Sequence, residues 1–435
     1  MNNKIGIRHE DKYTMERRTP LPPHYVKRLT HKGIKVYVES SPKRVFTDSE
    51  YKSAGAVVTK SLADCPVIFG VKEMPVSFFE SGKTYVFFSH VIKGQFYNMP
   101  MLRKMMEKKC NLIDYEKIAD DAGRRLIFFG RYAGLAGMIN SLWSLGQRLK
   151  HQGLETPFLR IRQSYNYRSL ADAEQAVREV GELIRVWGLP DELMPFTIGF
   201  TGYGNVSQGA QHIANLLPAV EITPEELLNL KHSGRYSNRL VYKVVFKEED
   251  LSKPKDPDQP FELQDYYAHP EKYQNQFEQF APHLSVLMNC MYWDDRYPRL
   301  ITKDFMEKMY LQGNMKLKVI GDVTCDPDGS IEFTHKGTEI EDPVFVYDPL
   351  KRKPAMGFQG DGILVMAVDI LPSELPRESS ESFGEALVDF VPAIAKANYD
   401  ADFENVDLPP EIKRATILHQ GKLTPDYQYI EEYLK

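Results

Sequence analysis

MPFTIGFTGYGNVSQGAQHIANLLPAVEIT, residues 194–223, decides the fold. An apolar run of strand length enters a glycine-rich turn at Gly202-Tyr203-Gly204; an amphipathic stretch leaves it and leads to a second short strand. This is the context of a dinucleotide-binding turn. The first glycine permits the tight bend, the second lets backbone approach a pyrophosphate, and the helix N-terminus supplies amides and positive dipole. Ser207 stands where a third glycine of GxGxxG belongs and Gly209 follows two residues later, so the match is partial. Gly202, Tyr203, Gly204, Asn205 and Val206 are the candidate cofactor contacts. Glu221, 17 residues after Gly204, is the expected ribose reader at the end of the next strand, and a carboxylate there favours NAD. Lys231, Arg235 and Arg239 follow closely and could neutralise a 2′-phosphate, so these residues leave NAD and NADP both open.

Working outward, the first 130 residues alternate short β-rich runs with helical stretches: Lys4 to Arg8, PPHYVKRLTHKG, Ile34 to Glu39, Cys65 to Val71, Thr84 to Phe88, Met101 to Lys109 and Asn111 to Asp114. Alternation of this kind marks βαβ units and a parallel sheet. After the glycine turn it resumes through Leu284 to Tyr292 and Leu317 to Val323, while Glu248 to Asp265 is charged, proline-rich and reads as an exposed excursion. The expected fold class is α/β. Two Rossmann-like domains with parallel sheets are separated by a cleft, and a C-terminal segment returns to the first. Residues 1–140 with 360–435 form one domain and 141–359 the dinucleotide-binding domain.

Composition removes other classes. With 435 residues, 42% hydrophobic and 26% charged, the chain is globular, and a formal charge of −5 gives none of the positive field that non-specific nucleic-acid binding needs. Cys65, Cys110, Cys290 and Cys325 are too few and too scattered for a disulfide framework or a CxxC metal site, which fits a reducing compartment. The longest uncharged segment, Tyr132 to Gln147, is 16 residues and reads as a buried helix rather than a membrane span. No signal-like apolar run follows Met1, so a cytoplasmic location is expected.

The chemistry gathers after the early strands. GIRHEDKYTMERRTPLPP, Val71-Lys72-Glu73-Met74-Pro75, Ser89-His90 with Lys93, and Asp114-Tyr-Glu116-Lys117 with Arg124-Arg125 and Phe129 each follow a strand, the edge where open parallel sheets bind ligands. Lys72 and His90 offer an amine and an imidazole for acid-base work. Arg18, Lys93 and Arg125 either bind substrate carboxylates or pair with Glu16, Glu73 and Glu116. The acidic run Asp322 to Glu332 lacks EF-hand spacing and reads as a loop facing the cleft, with no metal, and Asp322 as a cofactor contact.

ERRTPLPP, GVKEMP, FFSH with Lys93, LIDYEK, GRR before FFGRYAGLAGM, FTGYGNVSQGA, NCMYWDDRYPRLIT, GDVTCDPDGSIEF and DILPSELPRESSESFGE together resemble the lysine-forming saccharopine dehydrogenases, or lysine-2-oxoglutarate reductases, of the alanine dehydrogenase and transhydrogenase group. GNVSQGA, YWDDRYPRLIT and GSIEF are similar to the reductase half of bifunctional aminoadipic semialdehyde synthases, which implies a free-standing reductase. The resemblance implies that L-lysine condenses with 2-oxoglutarate and that the imine is reduced to saccharopine. Lys72 and His90 would be the catalytic pair, with Arg18, Lys93, Arg125 and Phe129 as substrate contacts and Glu73 and Glu116 as tuning carboxylates. Lys12 carries over less directly, because its spacing to ERR differs by one residue among relatives. The bifunctional branch implies NADP(H), the free-standing fungal branch NAD(H); NADP(H) is favoured. A separate saccharopine-cleaving dehydrogenase is an implied partner. A related dehydrogenase acting on another amine or keto acid, and a non-catalytic nucleotide sensor, are the competing expectations.

Overall fold

The computed structural model describes residues 3–313 and 316–435. The chain divides into two compact units, one made of residues up to Phe129 and from Pro376 onward, the other of Gly130–Leu375.

In the first unit β1 (Lys4–Ile7), β2 (Lys35–Glu39), β3 (Val57–Thr59), β4 (Val67–Phe69), β5 (Thr84–Phe87) and β6 (Asn111–Asp114) pair in parallel, in the order β3-β2-β1-β4-β5-β6. Val67, Ile68, Phe69, Tyr85, Val86 and Phe87 are fully buried, which is why β4 and β5 read as continuous apolar runs rather than alternating ones. Pro23 opens the helix Pro23–His31, and Gly33, at φ +80°, turns the chain into β2. The returning C-terminus extends this sheet: β17 (Thr416–His419) runs antiparallel to β6, and β18 (Lys422–Leu423) antiparallel to β17.

The second unit holds β7 (Thr197–Thr201), β8 (Ala219–Glu221), β9 (Val241–Phe246), β12 (Val286–Asn289), β13 (Val319–Asp322), β14 (Val344–Asp348), β15 (Lys353–Met356) and β16 (Ile363–Met366), in the order β15-β14-β16-β13-β12-β7-β9-β8. All pairings are parallel except those of β14 with β15 and β16. The segment expected as a bare excursion forms a small antiparallel ribbon, β10 (Ser252–Pro254) with β11 (Tyr273–Asn275), around largely exposed residues.

The uncharged stretch becomes the helix Gly130–His151, and it belongs wholly to the second unit. Glycines bring it against the helix Asn205–Ala214. A Cβ at Gly134 would lie 1.8 Å from the Val206 carbonyl oxygen, and one at Gly209 would lie 2.1 Å from that of Arg131. The units therefore meet at 129/130 and 375/376 rather than at the expected 140/141 and 359/360. The first expected boundary cuts this helix, and the second detaches β16 from β13, its parallel neighbour.

Candidate active site

In the first unit the loops after β1, β4, β5 and β6 converge. Glu16 accepts Arg18 Nε at 2.8 Å, Nη2 at 2.6 Å and the Arg18 backbone N–H at 3.1 Å. Burial alone would raise the Glu16 carboxyl, but Arg18, with help from the Lys72 charge, holds it below the usual range. Glu10 takes the backbone N–H groups of Val71 at 2.7 Å and Lys72 at 2.9 Å, tying the first loop to the second; burial and the Glu16 charge push it up to about 7. The Lys72 Nζ stands 5.7 Å from the centre of the Tyr13 ring.

Glu73 is the hub. Its Oε1 meets His90 Nδ1 at 2.8 Å and Lys12 Nζ at 2.7 Å. Burial opposes its charge, yet the imidazole and the ammonium lower its carboxyl to about 2, so it is ionised at neutral pH. An ionised carboxylate can only accept, so His90 Nδ1 carries a proton and donates it, leaving Nε2 for exchange with a ligand. The second Glu73 oxygen, Oε2, is buried without a hydrogen-bond partner among the described residues. His90 adopts φ +51°, a left-handed conformation that costs a residue with a Cβ on the order of 1–3 kcal/mol. The Glu73 contact and Asn98 Nδ2, which donates to the His90 carbonyl at 3.2 Å, hold it there.

Below this cluster lies an aromatic floor. Phe129 stacks on Phe383 at 4.6 Å, the Arg18 guanidinium lies 4.2 Å over Phe129, and that of Arg125 lies 5.3 Å from Phe88. Ser89 donates from both its N–H and its hydroxyl to the buried Asp114, locking the ends of β5 and β6 together. A cavity of about 430 Å³ is lined by Lys12, Glu73 and Asn98, and another of about 510 Å³ by Glu116 and Arg125.

In the second unit, Gly202 turns at φ +78° and the helix begins at Asn205 with no side-chain cap, so its first amides stay available. A Cβ at Gly204 would meet nothing within 4 Å. That open face suits close approach of a pyrophosphate. Behind the turn, side chains link three strand ends: Thr201 Oγ1 donates to Asn289 Oδ1 at 2.9 Å, Asn289 Nδ2 to Asp322 Oδ1 at 2.8 Å, and Thr334 Oγ1 to Asp322 Oδ2 at 2.6 Å. Among the described residues no three His, Cys, Asp or Glu side chains gather as metal ligands, and no helix is long and apolar enough to cross a membrane.

Residues 6–136 match the alanine dehydrogenase/PNT N-terminal domain and residues 271–426 the alanine dehydrogenase/PNT C-terminal domain. The chain belongs to the alanine dehydrogenase/PNT family. It is 41% identical over its full length to an alpha-aminoadipic semialdehyde synthase of Arabidopsis thaliana, of which it spans 42%. It is 26% identical to a saccharopine dehydrogenase [NAD(+), L-lysine-forming] of Emericella nidulans, with 89% of this chain and 91% of that one covered. An L-alanine dehydrogenase structure shares the fold at a TM-score of 0.62 and 17% identity, covering 99% of this chain and 100% of the other.

Against this family frame several expected residues move. Glu221 ends β8, but β9 lies between β8 and β7, and Lys243 holds the Glu221 carboxylate at 2.7 Å. The strand beside the glycine turn is β9, so the carboxylate at that strand end is Glu248, which accepts Tyr267 Oη at 2.7 Å and interacts with Tyr203. Asp322 is a buried structural link rather than a surface facing a cofactor. Val206 presents its carbonyl to Gly134, while its N–H belongs to the uncapped first turn of the helix. In the first unit Arg18 is buried and bidentate on Glu16 rather than open, Glu116 acts on Arg125 and Asp114, and Lys93 is exposed on the loop after β5. Lys12 enters fully through Glu73. Tyr13, Glu10 and Phe383 carried no assigned role in the sequence; Phe383 reaches the floor only through the returning C-terminal helix Pro376–Leu387.

Proposed function

We propose that the chain is an oxidoreductase of lysine metabolism that condenses L-lysine with 2-oxoglutarate and reduces the product to saccharopine. The observation that carries it is the Lys12–Glu73–His90 chain beside Lys72: a fixed imidazole with a free Nε2, a second amine, and an unshared carboxylate oxygen. The names of the relatives point the same way, although the chain spans less than half of the Arabidopsis protein.

The lysine ε-amine, as free base, adds to the ketone of 2-oxoglutarate. His90, once Nε2 has taken up a proton while Nδ1–H stays on Glu73, delivers that Nε2 proton to the carbinolamine hydroxyl, which leaves as water. Lys72, once its ammonium has released its own proton to solvent, accepts as the free amine the proton that the attacking amine sheds. Glu73 keeps His90 in one tautomer and offers Oε2 to a substrate ammonium, while Arg125 and Lys93 supply charge for substrate carboxylates. Arg18 acts indirectly, by fixing Glu16 and the face of Phe129. The nicotinamide cofactor supplies the hydride that reduces the imine carbon. Gly202, Tyr203, Gly204 and Asn205 would hold its pyrophosphate.

NADP(H) is the favoured cofactor. Glu221, the carboxylate that argued against a 2′-phosphate, is neutralised by Lys243, and Lys247 is an exposed cation at the end of β9. Glu248 at the same strand end favours NAD(H), so the ratio of the two cofactors in Lys247→Ser and Glu248→Ser is the discriminating measurement. A cytoplasmic site of action and a separate saccharopine-cleaving dehydrogenase complete the proposal. Its test is oxidation of NADPH and NADH at 340 nm with lysine and 2-oxoglutarate together and each omitted in turn. Oxidation that needs both substrates is expected. Oxidation that proceeds with a different amine or keto acid would reassign the substrate, and nucleotide binding without oxidation would make the protein a sensor.

A further inference from the structure

At the opposite end of the second sheet, the amino ends of β7, β12 and β13 border a cavity of about 790 Å³. Its walls carry Lys231, His232, His283, Lys316 and Lys318, with Glu192 as a lining carboxylate. Lys316 Nζ donates to the His283 carbonyl at 2.7 Å and to Thr197 Oγ1 at 3.2 Å, and no ion pair with a carboxylate is found for it among the described residues. Lys231 and His232 close the last turn of the helix Pro224–Ser233, where a cation complements the helix dipole. Cations thus outnumber anions on these walls, with Glu192 the carboxylate among the described lining residues. Burial and the Lys231 charge push Lys316 down to about 7; burial, Lys316, His232 and Lys231 depress His283. Mutual repulsion makes the arrangement costly, and a multiply charged anion relieves it.

We propose that this cavity is a binding site for a small polyanion carrying phosphate or clustered carboxylate groups, separate from the glycine turn at the other end of β7. Lys316 is the half-buried anchor, contributing a charge-assisted hydrogen bond, and the exposed Lys231 and His232 form the outer rim. Occupancy stabilises the folded chain by mass action and makes Lys316 take up a proton.

The test uses the full chain, with inorganic pyrophosphate and citrate as probes, in titration calorimetry at pH 7.5 in two buffers of different ionisation enthalpy. The Gly204→Val variant is run in parallel, because its glycine turn is closed to phosphate. Expected are binding of at least one probe to both proteins, proton uptake on binding, and affinity weakened by about 10-fold or more in Lys316→Met. Tighter binding of pyrophosphate identifies a phosphate ligand, tighter binding of citrate a polycarboxylate. Should Lys316→Met fail to fold, the exposed pair Lys231→Ser with His232→Ser carries the same expectation of weakened binding. Binding of neither probe, binding untouched by all these substitutions, or binding that disappears in Gly204→Val would overturn the proposal.

Discussion

The two eight-stranded sheets share an architecture and equip it in opposite ways. In the first, the order β3-β2-β1-β4-β5-β6 is that of a doubly wound fold, and the loops on either side of the β1/β4 switch point carry Glu10, Glu16, Arg18, Lys72 and Glu73. In the second, β7 and β12 flank the corresponding point, and what stands there is bare backbone: Gly202, Gly204 and an uncapped helix start. One sheet edge works through side chains that hold each other's charges, the other through amides that no side chain covers. The difference teaches that a strand-end position specifies where a ligand binds but not by which atoms. It also shows what connectivity changes. Inserting β9 between β7 and β8 moves the carboxylate beside the turn from Glu221 to Glu248.

The contrast is broken most sharply by exchanging the kinds of damage. Lys72→Met or His90→Gln should lower kcat by ~100-fold or more, the usual loss for a proton-transfer group, while cofactor affinity measured by fluorescence titration stays within about twofold. An unchanged kcat in either variant removes that residue from the proposed chemistry. In the second unit the glycines should separate by role. Gly204→Val places its side chain in open space at an ordinary φ, so the fold survives with its melting temperature near the parent's, while nucleotide binding is lost. Gly209→Val drives a Cβ into the Arg131 carbonyl and should cost about 3 kcal/mol or more, seen as a large drop in the denaturant midpoint. Retained nucleotide binding in Gly204→Val would move the cofactor elsewhere. Between these lies Glu73→Gln, which keeps an acceptor but not the charge shared by His90 and Lys12. A fall in kcat of about tenfold is expected, with KM for lysine raised because the anion facing its ammonium is gone.

Much of this was legible in the sequence because apolar runs report burial directly. VIF and TYVF are buried on both faces, and the glycine turn sits at the predicted junction of β7 and its helix. The strand-end placement of Lys72, Glu73, His90 and Arg125 followed from the same alternation. What was not legible depends on pairing between distant segments. Nothing local distinguishes AVE of β8 from VYKVVF of β9 as the neighbour of β7, since adjacency is decided by which strand the sheet accommodates. Lys12 and Glu73 are 61 positions apart, and Phe129 finds Phe383 only because the chain returns. The Arg18 to Glu16 pair was visible as a possibility, but its burial, which turns a substrate contact into a support, is a tertiary fact.

The smallest effect compares one buried carboxylate in each unit. Burial, with the Glu16 charge, pushes Glu10 up to about 7; burial pushes Glu374, which accepts Asn140 Nδ2 at 2.6 Å and the Tyr165 N–H at 3.2 Å, up to about 8. Unfolded, both titrate near 4.5. Between that value and the folded one, the native state keeps a proton that the unfolded chain has released. Unfolding then sheds protons, and stability falls as pH rises, by at most about 1.4 kcal/mol per pH unit for each group. Glu73 acts in the other direction but only as pH falls from 4.5 toward its value of about 2, outside this window. His283 and His335, depressed by burial, oppose the trend, so each variant is read as its difference from the parent between pH 5 and 6.5, which cancels them. All three tryptophans, Trp143, Trp187 and Trp293, lie in the second unit, so their fluorescence follows that unit while circular dichroism follows both. Glu374→Gln should flatten the pH slope of the fluorescence-detected unfolding free energy in urea titrations by about 1 kcal/mol per pH unit, and Glu10→Gln should flatten only the part detected by circular dichroism. If both substitutions change both signals equally, the two units unfold as one, and the division of labour between the sheets is not matched by a division in stability.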